Sequence, residues 1–219
     1  MPTAPHDPSA LLQVLRRRPE QRCEVCGAAI DDEHWHVANV PTRSVLCICR
    51  PCFLLFERDG AGGKRFRAVP DRYVVVAEGP ELHQGPWQAL GIPIHLSFLF
   101  SNSDTGKLTA FCPGPAGATE SELALDAWTD VVRAHPVLAR LAPDVEALLV
   151  RQESARPGPV PPRPDPEGIA VIVPIDFCYE LVGSVRRLWQ GVCGGDAAWR
   201  EVDAAIAYAL ERARPEVGA

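Results

Sequence analysis

The sequence predicts an α+β fold in which a small cysteine-rich N-terminal module sits on a mixed sheet-and-helix body. Three observations lead there. Five of the eight cysteines fall between residues 23 and 52. Apolar runs with β-branched residues, such as "RYVVVAE" and "IAVIVPI", recur through the remainder. Helical patterns stand between some of these runs without the strict alternation of a βαβ chain. Hydrophobic residues make up 47% and charged residues 23% of the 219, so most of the chain has the composition of a globular core and its surface.

The organisation reads as a lead-in over 1–21, a cysteine module over 22–70 and an α+β body over 71–214. In the lead-in, "HDPSALLQVLRRR" predicts a short helix capped by Asp7, with Pro8 at its first position and arginines at its end. The module closes on the glycine-bearing turn "ERDGAGGKRFRAVPDR". The body opens on the strand "RYVVVAE", continues through the turn-rich or short helical "GPELHQGPWQALG", and then gives a hairpin signal, "IPIHLSFLF", "SNSDTG", "KLTAFC". In "GPAGATESELALDAWTDVVRAHP", Thr119 and Glu122 have capping-box spacing and predict a helix ended by Pro136.

"DVEALLVRQ" is too short for its period to decide, and we read it as a strand. The segment 156–168, "RPGPVPPRPDPEG", has six prolines within ten residues and predicts an extended loop joining two strands of one domain. "DFCYELVGSVRRLWQ" and "DAAWREVDAAIAYALERA" predict two closing helices, with apolar faces on Leu181, Val185 and Leu188 and on Trp199, Val202, Ile206 and Leu210. The glycines of "GVCGGD" separate them.

The cysteine spacing carries the chemistry. Cys23-x2-Cys26 and Cys49-x2-Cys52 lie twenty-two residues apart, and each pair closes a knuckle that aims two sulfurs at one ion. The pattern is zinc-ribbon-like and predicts Zn2+ held by Cys23, Cys26, Cys49 and Cys52. Iron in the same site is the alternative, because four thiolates suit either metal. Gly27 fits a rubredoxin knuckle, whereas Phe53 stands where the second knuckle of that type carries glycine. Cys47 is a fifth thiol. In an extended approach it shares a face with Cys49, near the metal, as an adjacent group or alternate ligand. His34 and His36 share one face of the strand "EHWHVANV" with Trp35 on the other, and they rank behind the cysteines as ligands.

Net charge is −6, but residues 16–72 carry eleven Lys and Arg against eight Asp and Glu, so a mildly basic module sits on an acidic body. That balance and the few interleaved aromatics argue against nucleic acid as a partner. The N-terminus lacks the basic start and apolar run of a signal peptide, and no apolar stretch of about 18 residues spans a membrane. A cytoplasmic location is expected, where thiols serve as ligands or core residues rather than disulfides. Cys112, Cys178 and Cys193 are dispersed and read as small buried hydrophobes. "PGPAGATES" reads as a turn leading to a helix cap. Asp176 and Glu180 read as a helix N-cap and a first-turn acid. Chain order singles out no nucleophile elbow, H-E-x-x-H, dinucleotide fingerprint or catalytic Ser/His/Asp grouping.

The words "CEVCGAAI", "EHWH", "LCICRPCFLLF", "PGPAGATESEL", "PDVEALLV" and "VPIDFCYELVGSVRRLWQG" together resemble an uncharacterised actinobacterial-type family encoded beside nickel-iron hydrogenase genes. The resemblance runs from about residue 22 to 212. It implies a cytoplasmic accessory protein in assembly, maturation or coupling of a nickel-iron hydrogenase, with that enzyme or its maturation machinery as partner. From the family's cysteine words it implies metal-ligand candidacy for Cys23, Cys26, Cys47, Cys49 and Cys52. The resulting expectation is a non-catalytic metal-binding accessory protein acting through protein contacts, with a rubredoxin-like iron electron carrier as the alternative.

Overall fold

A computed structural model describes residues 21–58, 62–92, 96–114, 117–123, 125–152, 168–191 and 194–214. The segment expected as a lead-in helix, almost all of the segment expected as a proline-rich loop, and Cys193 lie outside them. Two sheets organise these residues. The first is three-stranded, with β1 (Trp35–Asn39) between β2 (Ser44–Ile48) and β3 (Phe66–Ala68), all antiparallel. A short helix, α1 (Arg50–Phe56), follows β2.

The second sheet has six antiparallel strands in the order β4-β9-β8-β5-β6-β7. They are β4 (Val74–Glu78), β5 (Leu96–Ser101), β6 (Leu108–Gly114), β7 (Gly117–Glu122), β8 (Glu146–Arg151) and β9 (Ile169–Pro174). The neighbours β8 and β9 are buried at every position. Covered on both faces, they read in sequence as the apolar runs "ALLV" and "IAVIV" rather than as alternating strands.

Alternation along these strands divides the core. Leu149, Val171 and Val173 face one layer, where helices α4 (Ile175–Leu188) and α5 (Gly195–Arg212) bring Leu181, Val185, Val202 and Ile206. Leu148, Val150 and Ile172 face the other. There they meet Trp87 of α2 (Gly85–Ala89), Val131 of α3 (Leu125–Ala134), and Leu82 and Leu138 of two 3-10 turns, Gly79–His83 and Pro136–Arg140. Each such side chain contributes about 1.5–3 kcal/mol by leaving water. The β5–β6 hairpin turns on Asn102, whose side-chain carbonyl accepts from the Asp104 and Thr105 amides, and on Gly106 at φ +65°.

Two sequence expectations are corrected. Thr119 and Glu122 lie in β7, paired with Cys112 and Thr109 of β6, and the helix begins only at Leu125. The capping-box spacing is local, whereas β6 offers this segment a full ladder of hydrogen bonds. The described residues of "PGPAGATES" are therefore strand rather than helix cap. Asp176 is not the N-cap of α4 but a first-turn residue, with Pro174 in the cap position.

The small sheet rests on the body. Ala38 and Val69 join the core layer of α4 and α5. Arg67 donates to the Pro143 carbonyl at 2.8 Å and to Asp144 at 3.2 Å, and the Tyr179 hydroxyl donates to the Arg43 carbonyl at 2.7 Å.

Candidate metal centre

The first knuckle is a turn closed by backbone hydrogen bonds. The Gly27 amide donates to the Cys23 carbonyl at 2.8 Å, and the Cys23 amide to the Ala28 carbonyl at 2.8 Å. Gly27 has φ +77°, a left-handed geometry that glycine adopts without steric cost. The second knuckle is built differently. Cys49 is the extended N-cap of α1 and Cys52 lies in its first turn, with the Phe53 amide donating to the Cys49 carbonyl at 3.0 Å. Residue 53 is helical, so no glycine is needed there.

The four sulfurs of Cys23, Cys26, Cys49 and Cys52 lie within 4.8 Å of one another, and Cys26 Sγ is 3.6 Å from Cys49 Sγ. A tetrahedral ion with Zn–S bonds of about 2.3 Å places its sulfurs about 3.8 Å apart, whereas a disulfide closes to about 2.05 Å. This four-cysteine group can hold a metal ion. Cys23 and Cys52 are 2% and 5% exposed and share a small core with Val37, Ile48 and Phe53. Burial acts to raise the Cys23 thiol, but backbone hydrogen bonds at Cys49, Cys26 and Val25 outweigh it and bring the group down to about 6. Burial and the adjacent thiols push Cys52 upward. Thiols crowded at one point oppose one another's ionisation, a conflict that a bound cation relieves.

Cys47 is elsewhere. In the β1–β2 register it stands opposite His36, and its sulfur groups with the imidazoles of His34 and His36, all within 4.8 Å of one another. Against the expectation of a place beside the four-sulfur cluster, the Cys47 sulfur is grouped with the histidines, with Ile48 in the small core and Cys47 in a groove along α4. Glu24 fixes the backbone there. Its amide donates to the Cys47 carbonyl at 2.9 Å, and its carboxylate accepts from the Cys47 amide at 2.6 Å. Burial, then the charges of Glu24, Glu180 and Asp176, raise the Cys47 thiol.

Trp35 lies on the opposite strand face from the histidines, as expected, 4.4 Å from the Phe53 ring and with the Arg50 guanidinium 4.1 Å above it. His36 Nδ1 is 2.7 Å from Asp176 Oδ2. The sequence carried a signal for this grouping in the His-x-His alternation, but its third member depends on a cross-strand register. In the body, Cys112 and Cys178 are buried, and no helix among the described residues is long and apolar enough to cross a membrane.

No curated protein matches the chain, and no solved structure does. Residues 22–213 match the model of a family of unknown function, DUF5947. That match spans both sheets and all five helices described above, and the chain belongs to this family.

Proposed function

We propose that the protein is a non-catalytic accessory protein whose N-terminal module, 22–70, is held by Zn2+ on Cys23, Cys26, Cys49 and Cys52 and acts through protein contacts. The observation that carries this reading is the meeting of two knuckles from distant chain segments at one point, with a 3.6 Å sulfur–sulfur distance suited to a common ion. The fully buried part of the core around them is small, with Val37, Ile48 and Phe53 beside the cysteines and Ile30, Leu46, Phe56 and Phe66 only partly buried against it. Metal binding is folding free energy for a module of this kind. The helical second knuckle favours zinc over the rubredoxin-like iron alternative, in which both pairs close as glycine-bearing turns.

For the partner, the resemblance of the cysteine words and the "VPIDFCYELVG" segment to the hydrogenase-linked family supports a nickel-iron hydrogenase or its maturation machinery in the cytoplasm. The test is metal analysis and absorption of the full chain purified anaerobically, beside Cys52→Ser, with hydrogenase subunits sought in the co-purified fraction. Colourless protein that loses zinc on Cys52→Ser and retains a hydrogenase subunit is the expected result. Iron with thiolate charge-transfer bands makes it an electron carrier, and no metal loss in Cys52→Ser removes the reading.

A further inference from the structure

His34 carries a buried atom with nothing to bond. Its Nδ1 lies 2.9 and 3.1 Å from the Asp31 and Asp32 carbonyl oxygens. Carbonyls only accept, so Nδ1 holds the ring proton and Nε2 the lone pair. That Nε2 is buried without a hydrogen-bond partner among the described residues. At His36 the Nδ1 faces Asp176 Oδ2 at 2.7 Å, which leaves Nε2 as the ring nitrogen available to an ion. The two rings sit 4.7 Å apart, edge to face. The Cys47 sulfur completes the group from the neighbouring strand.

A histidine whose Nδ1–H is held by a carboxylate or backbone carbonyl is oriented to ligate through Nε2, and both histidines are held so. We infer that His34, His36 and Cys47 form a second metal site, separate from the four-cysteine group, that takes a divalent ion of zinc-like softness through two Nε2 atoms and one thiolate. Two imidazoles and a thiolate suit such an ion, and hard oxygen-seeking cations do not fit. The carboxylates of Glu24, on the Cys47 amide, and of Asp176, on the His36 ring, stand beside the group and favour a cation there.

Three protein ligands leave one position of a tetrahedron. That position takes water or an incoming donor, and a groove beside the site is lined by His34, His36, Asp176 and Glu180. A structural site fills all four positions from the protein, whereas this one keeps a place for exchange. Asp176 is a positioning residue, since it acts on the ion through the His36 ring.

The test uses the full chain loaded with Zn2+, or with cadmium-113 for magnetic resonance. Wild type is expected to hold two ions, giving one cadmium resonance shifted as four sulfurs require and a second shifted as nitrogen and one sulfur require. Cys47→Ser should lose the second resonance and one zinc while keeping the first, and Cys52→Ser the reverse. Asp176→Asn should weaken the second site about 10- to 100-fold and leave the first unchanged. A wild-type spectrum lacking the mixed nitrogen–sulfur resonance overturns the proposal, with no variant needing to fold. Equal zinc content in wild type and a folded Cys47→Ser also overturns it. Loss of metal in Cys52→Ser alone would leave the four-cysteine reading intact.

Discussion

Arg72 holds the carboxylate of Glu146, with its Nη1 at 3.0 and 2.8 Å from the two oxygens. Glu146 is 1% exposed at the start of β8, and its Oε2 also accepts from the Ala142 amide at 2.8 Å. Arg72 lies between β3 and β4, so this pair fixes where the chain leaves the small sheet and enters the large one. A buried pair gives little net stability against an apolar substitute, but removing one member strands the other. Arg72→Met is therefore expected to cost about 3–5 kcal/mol in urea unfolding. Arg72→Met with Glu146→Leu should recover part of that and not all, because the Ala142 amide loses its acceptor. A single variant within about 0.5 kcal/mol of wild type would contradict the assignment.

Metal removal should affect the two sheets unequally. The core of the small sheet is organised around Cys23 and Cys52, whereas β8 and β9 are buried by apolar layers on both faces. Structural zinc supplies about 10 kcal/mol or more to small modules. After chelation, amide exchange in β1, β2 and α1 is expected to accelerate by orders of magnitude while β5, β8 and β9 keep their protection. Uniform loss across both sheets would mean that the module and body unfold as one unit.

Much of this was legible because burial leaves a residue-level trace. "ALLV" and "IAVIVP" are apolar without interruption because both faces of β8 and β9 are covered. The four cysteines declared themselves through knuckle spacing, which is local chemistry. The failures share one cause: the deciding partner was distant in sequence. Cys47 joined the histidines through the pairing His36↔Cys47, a register that alternation on one strand cannot fix. The segment "GATESE" is polar at a sheet edge, so it lacks the apolar alternation that marks a strand. Asp176 looked like a cap because its carboxylate stands near a helix start, and only the fold brings His36 to it.

Thr119 gives that last class of error a measurable form. As a helix N-cap, Thr119→Ala would cost about 0.5–2 kcal/mol. In the structure Thr119 is exposed on the edge strand β7, opposite Cys112, so only its modest β-propensity is at stake. Thr119→Ala should change stability by under about 0.5 kcal/mol. Thr119→Pro should cost more if its amide serves the β6 ladder, and a full cap-sized loss for alanine would restore the helical reading.

Alkaline pH supplies a test of the body's core through Cys178. Burial, followed by the Asp176 carboxylate, raises this thiol well above its ordinary 9.0. Below that value the folded and unfolded chains both keep the proton, so the contribution is fully present. Above it the unfolded chain releases the proton and the folded chain does not, so stability falls as pH rises toward the folded value. The slope per group is about 1.4 kcal/mol per pH unit. Cys112, Tyr73 and Tyr179 are also raised by burial first and add to the same decline. Cys178→Ala should thus lower stability at neutral pH by a cavity cost and flatten its fall between about pH 9.5 and 10.5 by roughly one group's slope. Urea unfolding of both proteins across that window, at matched metal content, reads the difference. Parallel curves would mean that the Cys178 thiol ionises as freely in the fold as outside it, and that the layer between β9 and α4 admits water.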